Sequence, residues 1–198
     1  ILTDSGGYQI FSLSRLRNVS DKGAKFRSHI DGSQHLITPQ SAIQFQESLG
    51  ADIIMVLDEC PSPTDSFEAV EQATERTYRW AEICQRSQTR KDQTLFAIVQ
   101  GGLYPELRHR SANQLTALGF AGYAIGGLSL GEPKELTLSM VGETAARLPF
   151  EKPRYLMGIG SLEDIIEAVA RGIDIFDSAL PTQVARKGAL FTRQGRYN

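Results

Sequence analysis

The stretch Leu95-Phe96-Ala97-Ile98-Val99-Gln100-Gly101-Gly102 decides the fold. Five apolar residues in a short run predict a strand buried on both faces. The amide and glycine pair that follow predict a strand end opening into a loop. The same unit recurs outward in both directions. Ile53-Ile54-Met55-Val56-Leu57 runs into Asp58-Glu59-Cys60, and Tyr123-Ala124-Ile125 into Gly126-Gly127. Tyr155-Leu156-Met157 runs into Gly158-Ile159-Gly160, and Ile173-Asp174-Ile175-Phe176 into Asp177-Ser178. Leu2 reads as the end of a further strand, with Asp4-Ser5-Gly6-Gly7 behind it.

Helical patterns separate these runs. Thr38 and Pro39 form an N-cap and N1 pair, and Gly50 is a stop. Asp65-x-x-Glu68 predicts a capping box. Behind it Phe67, Val70, Ala73, Thr77, Trp80 and Cys84 recur at steps of three and four, one face of a long helix. Residues 105–118 and 133–147 are the next helices, and Ser161 caps one over 162–171 that Gly172 ends. Strands alternating with helices predict a parallel sheet with covering helices. Six strands fit part of an eight-stranded barrel or an open doubly wound sheet. The second usually carries a Gly-rich first turn, and no G-x-G-x-x-G or P-loop sequence occurs.

Residues 8–37 break the alternation and read as a β-rich insertion, with a hairpin in 26–33 around Asp31-Gly32. The chain opens at Ile1 on a cut strand, and 194–198 offer no closing element. The expectation is a single partial catalytic domain over 1–198, taken from a longer protein.

Of 198 residues, 41% are hydrophobic and 22% charged, which excludes disorder and fibrous repeats. No apolar run reaches the ~20 residues of a membrane helix. The two cysteines, Cys60 and Cys84, make no disulfide framework, so a cytoplasmic setting is expected. They are 24 apart, and His29, His35 and His109 show no ligand spacing, so no metal site is expected within the chain. The net charge of −2 excludes a basic nucleic-acid coat. Charge is nevertheless segregated. Residues 47–75 hold eight acids and no Lys or Arg, whereas 15–27 and 183–196 together hold nine Lys/Arg. Two basic stretches on an acidic chain fit an anionic ligand or solvated loops alike.

Carboxyl ends of strands converge on the active site in barrels and open sheets alike. That convergence would gather Asp4, Asp58, Asp177, Gln100 and glycine-lined walls in one cleft. Glycines admit a flat ligand close to the backbone, Gln offers donor and acceptor, and Asp accepts N–H groups. The set suits a purine edge. Two further carboxylates suit nucleophile and acid/base in substitution at an anomeric carbon.

At these motifs the chain resembles the catalytic domain of bacterial tRNA-guanine transglycosylases, the queuine tRNA-ribosyltransferase family. The matching segments are Thr3-Asp4-Ser5-Gly6-Gly7-Tyr8-Gln9, His29-Ile30-Asp31-Gly32-Ser33, Asp58-Glu59-Cys60-Pro61, Val99-Gln100-Gly101-Gly102, residues 122–128, residues 155–160, and Phe176-Asp177-Ser178-Ala179-Leu180-Pro181-Thr182. They span nearly the whole chain in order.

The resemblance implies an α/β fold, an eight-stranded (β/α) TIM barrel with insertions, truncated at both ends here. It implies exchange of guanine at the tRNA wobble position for 7-aminomethyl-7-deazaguanine, a queuosine precursor, through a covalent intermediate. By motif, Asp177 is the nucleophile and Asp4 the proton acceptor and donor. Asp58, Gln100 and Gly127 hydrogen-bond the base, while Tyr8 and Met157 sandwich it. Leu128 offers backbone contact, with Glu132 close by. Ser5, Gly6, Gly7, Cys60 and Gly126 complete the substrate site. Gly158, Ile159, Gly160, Ser161, Leu162, Glu163 and Asp164 are implied contacts to the RNA backbone. Thr182, Gln183, Val184, Ala185 and Arg186 are implied to meet the wobble region. The partners implied are the tRNA anticodon stem-loop, the two free bases and a second copy in a homodimer, with no membrane. The family's zinc sits in a C-x-C-x-x-C segment plus a later His, expected beyond residue 198, and no organic cofactor is implied.

Two positions depart from the family pattern. Gln183 stands where Arg is common, and Ser178 where bacterial members often have Cys. The first predicts a lost cationic contact to the anticodon, the second no effect. An aldolase-like or phosphate-binding barrel is a rival reading, but no Lys occupies a strand end. A non-catalytic partner subunit is another, against which Asp4 and Asp177 are both present. The Gly6-Gly7 pair and the run 128–132 resemble the bacterial rather than the archaeal branch.

Overall fold

The computed structural model describes residues 1–12, 17–28 and 30–197. Arg15 of the first basic stretch, His29 and Asn198 lie outside the described residues. The central sheet has five parallel strands: β4 (Ile53–Met55), β5 (Thr94–Val99), β6 (Gly122–Ile125), β7 (Arg154–Leu156) and β8 (Ile175–Phe176). Leu2 adds a parallel bridge to Ile53 outside β4. Spatial order follows chain order without reversal. A doubly wound sheet reverses at a switch point; this one does not.

Helices α2 (Pro39–Leu49), α3 (Phe67–Ser87), α4 (Pro105–Ala117), α5 (Lys134–Ala145) and α6 (Leu162–Val169) fill the connections and pack on one another in sequence. Thr38 caps α2 by accepting from the Ser41 amide at 3.1 Å, and Ser41 Oγ accepts from the Thr38 amide at 2.9 Å. Gly50 ends the helix at φ +72°, a conformation that favours glycine. The capping box expected at Asp65–Glu68 is corrected. Asp65 instead closes the preceding turn, accepting from the Ser62 amide at 2.8 Å, so extended Ser66 caps α3 through the Ala69 amide. The α3 stripe Val70, Ala73, Thr77, Trp80 and Cys84 is buried. The core forms where it meets Ile54, Leu57, Phe96, Ile98, Tyr123 and Leu156.

Three elements were not legible in the sequence. Gly7–Ser12 is a short helix, α1, at the start of the segment that the sequence reads as a β-rich insertion. Leu180–Arg186 forms α7. Residues 194–198 show no closing element in sequence, but β9 (Leu190–Thr192) and β10 (Gly195–Tyr197) form a hairpin. That hairpin turns on Thr192, whose Oγ1 donates to the Gly195 carbonyl and accepts the Gln194 amide. Within 8–37, β1 (Arg17–Ser20), β2 (Gly23–Arg27) and β3 (Gln34–Ile37) make an antiparallel sheet in that order. β2 and β3 lie on either side of Asp31-Gly32. Trp80, 1% exposed, ties this sheet to α3 by donating Nε1–H to the Asp21 carbonyl at 2.9 Å. Its removal would cost about 3–5 kcal/mol.

Candidate active site

Every strand of the parallel series delivers one piece of a single cleft of about 350 Å³ at its carboxyl end. Asp4 follows the Leu2 bridge, Asp58 follows β4, Gln100 follows β5 and Gly126-Gly127 follow β6. Met157-Gly158 follow β7, and Asp177 follows β8. Tyr8, Cys60 and Leu128 line the same space. The monotonic strand order is what brings six loops to one rim.

Asp58 and Gln100 form the buried floor. Gln100 Nε2 donates to Asp58 Oδ2 at 2.7 Å, and Ser5 Oγ donates to Oδ1 at 3.3 Å. Burial pushes the Asp58 carboxyl up to about 7, with the Asp4 charge adding to it and the Gln100 and Ser5 bonds opposing it. Gln100 Oε1 has no protein partner. It is a buried acceptor that a ligand donor would satisfy. Ser5 and Gly7 stand behind the cleft. Ser5 Oγ also accepts the Gly7 amide at 3.3 Å, and any Cβ on Gly7 would strike Asp58. A Cβ on Gly126 would lie 2.8 Å from Gln100 Nε2, and one on Gly127 would strike Oε1.

Asp177 is held differently. Its Oδ1 accepts the Tyr155 hydroxyl at 2.6 Å and the Gly158 amide at 2.8 Å, while Oδ2 takes part in neither bond. Burial and the bond to Asp177 both push the Tyr155 phenol up, so it stays a donor. Asp4 accepts its neighbour Ser5's amide at 2.7 Å. Burial, more than the charge of Asp177, pushes the Asp4 carboxyl up. One carboxylate is thus oriented by two donors, while burial raises the other two, of which Asp58 also faces an amide.

The β6–α5 loop is shaped by Glu132. It accepts the Ser129 and Leu130 amides and the Thr137 hydroxyl, which lowers its pKa against the effect of burial. Ser129 sits at φ +59°, rare for a residue with a side chain. Because a trans peptide points its carbonyl away from its N–H, the Leu128 carbonyl is turned away from Glu132.

The expected RNA contacts divide. Thr182, Gln183, Ala185 and Arg186 are exposed on α7, whereas Val184 is buried and anchors it. Ser161 caps α6, and Asp164 is paired with Lys134 at 2.6 Å. The Gly158 amide is used on Asp177, and Ile159 is buried. Leu162 and Glu163 are exposed. A Cβ on Gly160 would strike Ser178, so two rim loops meet there. Ser178 Oγ accepts the Leu180 amide at 3.1 Å.

Sequence reasoning missed Gln9, Ser129, Leu130, Tyr155 and Ala179 as cleft residues. For Tyr155 a signal existed: it lies two residues before Met157, on the same face of a strand. It also missed Arg108, which is buried behind the Gly126-Gly127 loop.

Among the described residues, no group of three or more His, Cys, Asp or Glu could hold a metal ion. Both cysteines are buried, and their sulfurs contact backbone carbonyls: Cys60 that of Pro61, Cys84 that of Pro39. The residues described here therefore do not fit a zinc centre. Nor is any described helix long and apolar enough to cross a membrane.

The family model described as Queuine tRNA-ribosyltransferase matches residues 1–198. A protein of that name from Dehalococcoides mccartyi is 60% identical over 198 residues, 100% of this chain and 50% of the relative. Namesakes from Halothermothrix orenii and Moorella thermoacetica are each 55% identical over 196 residues, 99% of this chain and 52% of the relative. The chain spans about half the length of the curated relatives it matches.

Proposed function

The chain belongs to the queuine tRNA-ribosyltransferase family, and from that premise we propose that it carries the catalytic centre of a tRNA-guanine transglycosylase. The substrate is the guanosine at the anticodon wobble position, and the incoming base is 7-aminomethyl-7-deazaguanine. The observation that carries this reading is the division of labour among three carboxylates in one cleft. Asp177 is fixed through Oδ1, Asp4 is pushed toward its protonated form, and Asp58 is paired with Gln100.

In the first step Asp177 Oδ2 attacks the ribose C1′. The C1′–N9 bond breaks, its electron pair leaves with the base, and Asp4 supplies the proton. The RNA is then esterified to Asp177 through C1′. In the second step the incoming base gives its N9 proton to Asp4 and attacks C1′ through N9. The C1′–O bond breaks and the Asp177 carboxylate is regenerated. Asp58 and the open Gln100 Oε1 accept the N–H groups of the base, and the Gly127 amide meets its oxygen. Tyr8 and Met157 cover its two faces. The Leu128 carbonyl, turned away from Glu132, suits the ammonium of the aminomethyl group. The exposed Thr182, Gln183 and Arg186 of α7, with the α6 rim, lie along the RNA path.

The sequential strand order also supports the fuller fold proposal, an eight-stranded barrel of which these strands are part. The family's zinc subdomain, homodimer and cytoplasmic setting belong to the same proposal. A non-catalytic partner subunit is disfavoured by Asp177 and Asp4 occurring together in the cleft. The test is exchange: the full-length protein, tRNA and labelled guanine. Label entering tRNA supports the reading; no label with either base overturns it.

A further inference from the structure

Arg108 projects from the first turn of α4 and is wholly buried. It is not part of the cleft wall, yet it reaches the loops that form it. Nε donates to the Gly102 carbonyl at 2.7 Å, and Nη2 donates to the carbonyls of Gly126 at 3.1 Å and Gly127 at 3.5 Å. Gly101 makes this approach feasible, since a Cβ there would lie 2.6 Å from the Arg108 backbone nitrogen. Burial lowers the guanidinium to about 10, with Cys60 and Glu132 opposing the shift, so it stays charged at neutral pH. A buried cation held mainly by neutral carbonyls is poor value for packing, which an apolar side chain of that length would serve better. Its use lies in the fork, which fixes several acceptors at once.

We propose that Arg108 is a positioning residue for base selection. By drawing the Gly126 and Gly127 carbonyls behind the cleft wall, it turns the Gly127 and Leu128 amides toward the oxo-bearing edge of the bound purine. The inference rests on the transglycosylase reading above. It follows from peptide planarity: each trans peptide points its N–H opposite to its carbonyl. Gly126 and Gly127 line the cleft, whereas Arg108 does not. Gly127, at φ +67°, has a backbone that glycine adopts freely and other residues rarely do, so no side chain of its own fixes the orientation of its peptides. Asp58 and Gln100 would read the base from the floor; Arg108 would set the donors of the wall without touching the base.

The test uses the full-length protein with Arg108→Lys, which keeps the charge and loses the fork, and Arg108→Met, which keeps the length. Guanine is compared with 2-aminopurine, which lacks the oxygen and with it the N1–H, as competitors in base exchange. Both variants should lose roughly tenfold of the preference for guanine, about one hydrogen bond's worth, with KM for tRNA unchanged. Amide hydrogen exchange should speed up over residues 126–130 and stay unchanged in β5. Retained preference in an active Arg108→Lys protein overturns the inference alone. So do parallel losses for guanine and tRNA with faster exchange throughout the sheet, the mark of a packing role. A wild-type protein that exchanges no base overturns the proposed function and the inference together.

Discussion

Gln100 and Asp58 hold each other in place: the amide Nε2 donates to the carboxylate Oδ2 at 2.7 Å, with Gln100 fully buried and Asp58 6% exposed. The pair spans two neighbouring strand ends, so each residue's rotamer depends on the register of β4 against β5.

The first prediction is that Asp58→Asn damages base use and spares RNA binding. An amide cannot accept the two N–H groups of guanine in the same way, and buried donors left unpaired are heavily penalised. kcat/KM for guanine should fall about 100-fold, with Kd for tRNA unchanged within about twofold. Equal losses in both would assign Asp58 a structural role.

A pH dependence follows from the raised Asp58 carboxyl. Its folded pKa, about 7, exceeds the ordinary 3.8. The folded state therefore binds the proton more tightly than the unfolded chain. The stabilising contribution is complete below about pH 4 and is lost as pH rises through about 7. Asp4 contributes with the same sign. Denaturant titrations between pH 4 and pH 8 should show stability declining by on the order of 3 kcal/mol from this group, and Asp58→Asn should flatten the decline. Guanine use should run the other way, KM falling as Asp58 ionises. A KM that is flat across pH 6 to 8 would contradict the assignment.

Tyr155→Phe and Asp177→Asn should separate orientation from chemistry. Asp177→Asn should form no covalent adduct with tRNA after denaturation and lose exchange altogether. Tyr155→Phe removes one of two donors on Asp177 Oδ1. It should keep the adduct and lower kcat about tenfold, since a misplaced nucleophile loses rate steeply. An adduct surviving in Asp177→Asn would place the nucleophile elsewhere.

The α7 stretch can be read by salt. Arg186 and Lys187 are exposed, and phosphate contacts give affinity a salt slope proportional to their number. Replacing both by Ala should reduce that slope by up to about two contacts. Gln183→Arg should tighten tRNA binding at low salt. Parallel slopes in all proteins would make this stretch ordinary solvated surface.

The strands and the order of the strand-end residues were legible because buried parallel strands are short apolar runs and their loops start at once. Asp4, Asp58, Gln100 and Asp177 could therefore be placed on one rim before any geometry. The helices α1 and α7 and the β9–β10 hairpin were not legible, being too short to show a period. Asp65 misled because a carboxylate before a helix serves a turn as readily as a cap. Arg108 was hidden for a different reason. Nothing in a helical sequence tells an inward arginine from a solvated one; only the carbonyls of Gly102, Gly126 and Gly127 reveal it.

The packing of Gly7, Gly126 and Gly127 against the floor has an evolutionary consequence. At each of these positions the first carbon of any side chain would collide with Asp58 or Gln100. Drift in substrate preference cannot proceed by substituting them one at a time, because each step passes through a protein with a broken floor. The accessible routes run through side chains on the same cleft that can change size, Cys60, Leu128 and Met157. Lineages that come to accept a bulkier base should therefore differ at those three positions while leaving the glycines untouched.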